Sequence, residues 1–242
     1  MAPAPKFSAE EQEHLVLSSA AKCIEASSML DFTMAAISKE AGLSMGTIYK
    51  HIQSKEDVLV ALGYQSQLHF KAMVLQVFQL PLPVVAKIVG VQLVDTQRVS
   101  PYSFWPQLDT LLANPVILQR ASRTWVEKFI QLDTEVESVF QHQIQHACET
   151  GELKLPKADW EPTVNEILTS IWSICVGHTQ VTMQRGARQI LEGELTIPTC
   201  RAPDSTIIHS VQRLMNTYPW KPKLTESLIA KTCTLLEESG LR

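Results

Sequence analysis

Residues Thr33–Leu59 read TMAAISKEAGLSMGTIYKHIQSKEDVL, and the punctuation of this stretch decides the fold. Thr33 stands before a short helical pattern, Met34–Ala41, where its hydroxyl can accept from an amide two or three residues on. Gly42 falls where a helix is closed by a tight turn. Ser44 is placed to cap a second short helix running to about His51. Ser54-Lys55-Glu56-Asp57 then resembles a capping box with two acids in the first turn, and it opens a long helix from Lys55 to about Gln79.

Two short helices joined by a turn containing glycine are the helix-turn-helix pattern. In such units the second helix lies in the major groove of DNA and residues near its start reach base edges. Here that helix presents Ser44, Met45, Thr47 and Lys50. Serine and threonine hydroxyls exchange hydrogen bonds with bases, and their carbon atoms suit a thymine methyl. Tyr49, His51 and Lys55 are polar or basic groups suited to phosphates at the groove edge. The amides that open the 55–79 helix add an anion site.

Upstream, residues 8–27 carry one apolar stripe through Val16, Leu17, Ala20, Ala21 and Ile24, with Glu10, Glu11, Glu13, Lys22 and Glu25 on the polar faces. Downstream, helical patterns broken by Pro and Gly cover about 84–98, 104–113, 115–121, 123–150, 160–190, 205–217 and 223–239. Residues 193–204 read as an irregular loop. The expected fold class is all-α. A three-helix domain at 1–54 is joined to a larger helical domain at 55–242, with 55–79 as the connecting helix.

Of the 242 residues, 45% are apolar and 19% charged, enough to build a sizeable core and incompatible with general disorder. The formal net charge of −4 excludes a broadly basic protein that coats DNA without preference. The five cysteines are widely spaced and odd in number, which fits reduced thiols better than a zinc site or a disulfide framework. The most membrane-like stretch, Ala72–Val94, is broken by Pro81 and Pro83, and the N-terminus lacks the apolar core of a secretory signal. A soluble cytoplasmic protein is expected, without membrane contact, metal or cofactor.

At Thr33–Leu59, and most specifically over Ala41-Gly42-Leu43-Ser44-Met45-Gly46-Thr47-Ile48-Tyr49-Lys50-His51 and Ser54-Lys55-Glu56, the chain strongly resembles the TetR family of bacterial transcriptional regulators. The resemblance covers roughly residues 8–65. It implies a homodimer with a C-terminal ligand-binding and dimerisation domain, and a palindromic duplex operator whose binding is weakened by a small-molecule effector. By motif match, Thr33, Tyr49, His51 and Lys55 would contact phosphates, while Ser44, Met45, Thr47 and Lys50 would face bases. Three positions depart from the family pattern. Glu13 stands where many members have arginine, Ile52 replaces the usual Phe, and Ser28 replaces a glycine.

No arginine occurs before Arg98, and residues 1–60 hold five Lys against eight acids. Bidentate arginine–guanine reading is therefore unavailable here, and Lys50 is the strong guanine candidate. A modest affinity with steep salt dependence from few phosphate contacts is expected. The acidic domain also motivates an alternative reading, an interaction protein of helix-turn-helix fold that has lost operator binding.

Other patterns carry less. Gly42-Leu43-Ser44-Met45-Gly46 matches the G-x-S-x-G elbow of α/β-hydrolases, but it follows a helical pattern and no parallel strands accompany it. His142 and His146 lie four apart in HQIQH, with Gln143 where a zinc protease needs its Glu. No enzyme is expected. Phe104, Trp105, Trp125, Phe129, Phe140 and Trp172 are candidates to line an apolar or aromatic effector pocket, with Arg98, Gln107, Asn165, His178 and Gln180 as polar partners. For dimerisation the candidates are Ile167, Ile171, Ile174 and His178, with Gly177 allowing close approach, and Leu224, Leu228, Lys231 and Leu235.

Overall fold

The first helices begin where the sequence supplies a cap. In the computed structural model, which describes residues 7–188 and 199–242, Ser8 opens α1 (Ala9–Ala26) with a reciprocal box. The Glu11 amide donates to Ser8 Oγ at 3.2 Å and the Ser8 amide donates to the Glu11 carboxylate at 2.7 Å. Thr33 Oγ1 accepts from the Ala36 amide at 3.1 Å to open α2 (Met34–Ala41), which Gly42 closes with φ +63°, a backbone that L side chains disfavour. Ser44 Oγ accepts from the Thr47 amide at 3.1 Å to open α3 (Met45–His51). α4 (Lys55–Gln79) starts after Ser54, whose Oγ accepts from the Asp57 amide at 3.0 Å.

The remaining helices are α5 (Val84–Leu93), α6 (Thr96–Val99), α7 (Trp105–Leu112), α8 (Pro115–Arg120), α9 (Arg123–Thr150), α10 (Trp160–Ala187), α11 (Thr206–Thr217) and α12 (Glu226–Glu238). One correction concerns 84–98, which is two helices rather than one. Val94 is extended, and Asp95 Oδ1 accepts from the Gln97 amide at 3.0 Å, so Asp95 caps a new short helix inside that range. Residues 189–190 of the expected 160–190 helix, and 193–198 of the expected loop, lie outside the described residues. The described residues contain one isolated bridge, Leu153 with Trp220, and no strand.

The described chain divides into two compact units. The first takes in residues up to Leu68 together with Pro101–Asp133. Its core joins α1 (Val16, Leu17, Ala20, Ile24), α2 (Ile37), α3 (Ile48), Ile52 and the first turns of α4 to Leu108, Leu112 and Trp125. Close approach is most acute at Gly63. A Cβ there would stand 2.2 Å from Leu112 Cδ1 and 3.3 Å from Phe129 Cε2, so α4, α7 and α9 meet at a position with no side chain.

The second unit takes in His69–Ser100 and Thr134–Arg242. Here α5 is apolar on nearly every face and sits among core side chains, which explains the membrane-like hydropathy of 72–94. Gly90 lets it approach neighbours, since a Cβ would lie 3.2 Å from both Thr232 Cγ2 and Val77 Cγ1. Phe78 and Phe140 pack edge to face, with centroids 5.2 Å apart. No described helix is long and apolar enough to cross a membrane.

Candidate nucleic-acid interface

α3 is anchored from beneath by two fully buried side chains, Ile48 and the following Ile52. Anchoring one face leaves the other outward. Ser44, Tyr49 and Lys50 are exposed, and Met45, Thr47 and His51 are half-buried. Ser44, Thr47 and Lys50 recur every three residues and share one side of the helix. The two hydroxyls are 2.9 Å apart, so Ser44 Oγ is engaged both as a cap and with its neighbour. Thr33 keeps its hydroxyl proton while its oxygen caps α2. Lys55 rests beside the first helices, its ammonium 3.3 Å from the Leu30 carbonyl oxygen and 5.0 Å from the Phe32 ring centroid. His51 Nε2 meets Gln12 Oε1 at 3.3 Å.

The loop after α3 is held by Asp57, a fully buried carboxylate. Its Oδ2 accepts from the Gln53 amide at 2.8 Å and its Oδ1 accepts from the Ser122 amide. In a full capping box this side chain would reach the Ser54 amide instead. It reaches one residue earlier because its second oxygen is drawn to the turn before α9. A second bond joins the same elements: the Trp125 indole N–H donates to the His51 carbonyl oxygen at 3.0 Å. Arg120 pairs with Glu56 at 2.8 Å. The start of α9 is thereby fixed to the end of α3. Sequence reading marked Trp125 only as aromatic and missed Ser122 and Lys128 entirely, since nothing local signals a partner dozens of residues away.

The effector candidates do not form one cluster. Phe104, Trp105, Trp125 and Phe129 belong to the first unit. Phe104 stacks on Tyr102 at 5.2 Å, Trp125 meets Tyr64 edge-on at 6.2 Å, and Phe129 lies against Gly63. Phe140, Trp172 and His178 belong to the second unit, where Trp172 is 59% exposed on α10. Burial, then the charges of Arg201 and Arg185, hold the His178 imidazole below its ordinary pKa.

Of the polar candidates, Arg98 reaches Asp95 at 3.7 Å, and Asn165 and Gln180 are exposed. The first unit also holds polar atoms without a hydrogen-bond partner: Ser66 Oγ, Gln67 Oε1 and Gln107 Oε1. Ser66 and Gln67 follow Gly63 by one turn of α4, on its face. Asp109 precedes Leu112 by one turn of α7, and Asp133 follows Phe129 by one turn of α9. Burial, and then the nearby Asp133, push the Asp109 carboxyl up to about 6.

Ser44, the serine of the G-x-S-x-G pattern, lies between two helices, with its oxygen committed to capping α3. His142 and His146 are on α9, and His146 Nδ1 is 3.7 Å from a Glu149 oxygen. No group of three or more potential metal-binding side chains occurs among the described residues.

A helix-turn-helix with an exposed second helix, followed by further helices, is the fold of a transcriptional regulator. Residues 16–62 match the family described as bacterial regulatory proteins, tetR family. This N-terminal segment belongs to that family, and the whole chain has the all-helical fold of its regulators. Among solved structures, AmtR of Mycobacterium smegmatis superposes with a TM-score of 0.54 at 14% identity, covering 100% of this chain and 99% of that one. A transcriptional regulator of Saccharomonospora viridis in complex with choline gives 0.53 at 16% identity, covering 86% and 96%. RolR in complex with resorcinol gives 0.53 at 12% identity, covering 94% and 93%. At such identities the likeness is one of fold. No curated protein sequence matches the chain.

Proposed function

We propose that the protein is a cytoplasmic, ligand-responsive DNA-binding transcriptional regulator that acts by binding rather than by catalysis. It works as a homodimeric repressor on a palindromic duplex operator and is released by a small, apolar or aromatic effector. The observation that carries this reading is the outward face of α3, with Ser44, Thr47 and Lys50 in line inside the family-matched segment. Ser44, Met45, Thr47 and Lys50 face bases, while Thr33, Tyr49, His51 and Lys55 take phosphates. Half-sites lie one helical turn or a multiple apart, so a small pivot of α4 displaces a recognition helix from its groove.

The effector seat is assigned to the first unit, around the meeting of α4, α7 and α9 at Gly63. Phe104, Trp125 and Phe129 supply apolar surface there, and the unpartnered Ser66, Gln67 and Gln107 atoms supply orienting polar groups. That choline and resorcinol are bound in two solved structures of this fold, the former in a transcriptional regulator, supports a small-molecule effector. Ligand must bind the two conformations unequally to shift their populations. Dimerisation is assigned to α10, where Trp172 and Val176 are exposed on one side. The expected partner positions on α12 are less available, because Leu224 is buried and Leu228 and Leu235 pack against the core.

The test is binding of the full chain to duplex DNA from its own promoter region at low salt. A repressor binds, and Tyr49→Phe or Lys55→Gln weakens it. An interaction protein that has lost operator binding would be indifferent to both changes.

A further inference from the structure

The end of α3 and the start of α9 line one cleft of about 160 Å³, with Lys50 and His51 on one side and Ser122, Trp125 and Lys128 on the other. Glu13 also lines it. Two observations bear on how these lysines could meet an anion. First, among the described residues neither Lys50 nor Lys128 has a carboxylate within 4.0 Å, whereas Lys22, Arg120 and Arg123 are each engaged by a glutamate. The Lys128 ammonium stands 4.3 Å over the Trp125 ring centroid, a contact that orients it without neutralising it. Second, Lys128 is held to the recognition helix. Trp125, one turn before it, donates to the His51 carbonyl oxygen, and Ser122 donates to Asp57.

The charge of the N-terminal helices makes the cleft informative. Residues 1–60 carry more acids than lysines and no arginine, so a duplex needs cations from elsewhere. We propose that the cleft holds a phosphodiester group of the duplex bound by α3, with Lys128 as an added phosphate-binding residue and the base-facing Lys50 adding its positive charge at the cleft's rim. This rests on the reading of α3 as the DNA-binding helix. Glu13 opposes the anion, and the two ammonium groups outweigh it.

One neutralised phosphate changes the slope of log affinity against log salt by about 0.9. The experiment therefore measures binding of the full chain to a random-sequence duplex of about 30 base pairs over about 20–200 mM KCl. Lys128→Gln is expected to lower the slope by about 1 and to weaken binding about tenfold at the low-salt end. Lys128→Arg should keep the slope, and Lys154→Gln, at an exposed position of the second unit, should leave it unchanged.

An unaltered slope in Lys128→Gln overturns the proposal while leaving α3 as the DNA reader. If the unaltered protein binds no duplex at the lowest salt, both readings fail. An added arm uses inorganic phosphate at constant ionic strength. If phosphate raises the melting temperature of the unaltered protein but not of Lys128→Gln, and the DNA slopes agree, the cleft serves a free anion and the proposal is overturned.

Discussion

The Trp125 indole N–H donates to the carbonyl oxygen of His51 at 3.0 Å, so the last turn of the recognition helix is completed by a residue 74 positions further along the chain. That carbonyl belongs to a helix C-terminus, where acceptors lack intrahelical partners. Trp125→Phe keeps the ring and removes the donor. The expected loss is about 1 kcal/mol of stability, read by chemical denaturation. DNA affinity should fall further than Trp172→Phe makes it fall; equal effects would show that the bond does not position α3.

Asp57 satisfies two backbone donors with no exposure to solvent. Asp57→Asn puts an amide N–H₂ against one of those donors. Destabilisation of about 2–3 kcal/mol is expected, because a buried donor is left unpaired. Asp57→Glu should do no better, since the longer chain cannot sit at the same helix start. A melting temperature close to that of the unaltered protein would refute the assignment.

Asp109 sets a pH dependence. Its carboxyl is pushed up to about 6 in the folded state, above the ordinary aspartate value, so the native state binds more protons than the unfolded state between that value and about 6. Stability should therefore decline as pH rises through that window and level off above it. Asp109→Asn should flatten this decline and stabilise the protein near neutral pH by about 1–2 kcal/mol. Urea unfolding at several pH values distinguishes the outcomes. A decline of the same size in Asp109→Asn would assign it to another group.

At Gly63 two effects compete. Alanine favours an exposed helix over glycine by about 1 kcal/mol. Here the added Cβ would stand 2.2 Å from Leu112 Cδ1, and overpacking costs about 1–3 kcal/mol. Gly63→Ala is expected to be destabilising overall, and because Leu112 is itself a core side chain, Gly63→Ala with Leu112→Ala should cost less than the sum of the two single changes. Strict additivity of the two changes would show that the side chains do not meet.

What was legible in the sequence was local. Thr33, Gly42 and Ser44 announce their roles because a cap and its amide lie within three residues, and the structure realises all three. The all-helical class followed from periodicity and punctuation in the same way. The break inside 84–98 was not legible because a helix of four residues leaves no periodicity to detect. The bonds from Trp125 and Ser122 to the end of α3 and the start of α4 were illegible for another reason. A tryptophan N–H and a backbone amide carry no mark of a partner chosen by tertiary packing. The six residues expected to share an effector pocket were grouped by type alone, and they fall in two separate units.

The first compact unit draws Leu108, Leu112 and Trp125 into the same core as the helix-turn-helix. The reading head is thus not a portable module. A fragment ended at Leu68, or a chimaera grafting those residues onto another regulator's body, would expose the faces of Ile48, Ile52 and Val58 that these three side chains help enclose. It would also leave Asp57 without the Ser122 amide. A graft of this chain's helix-turn-helix would therefore have to carry residues 101–133 with it.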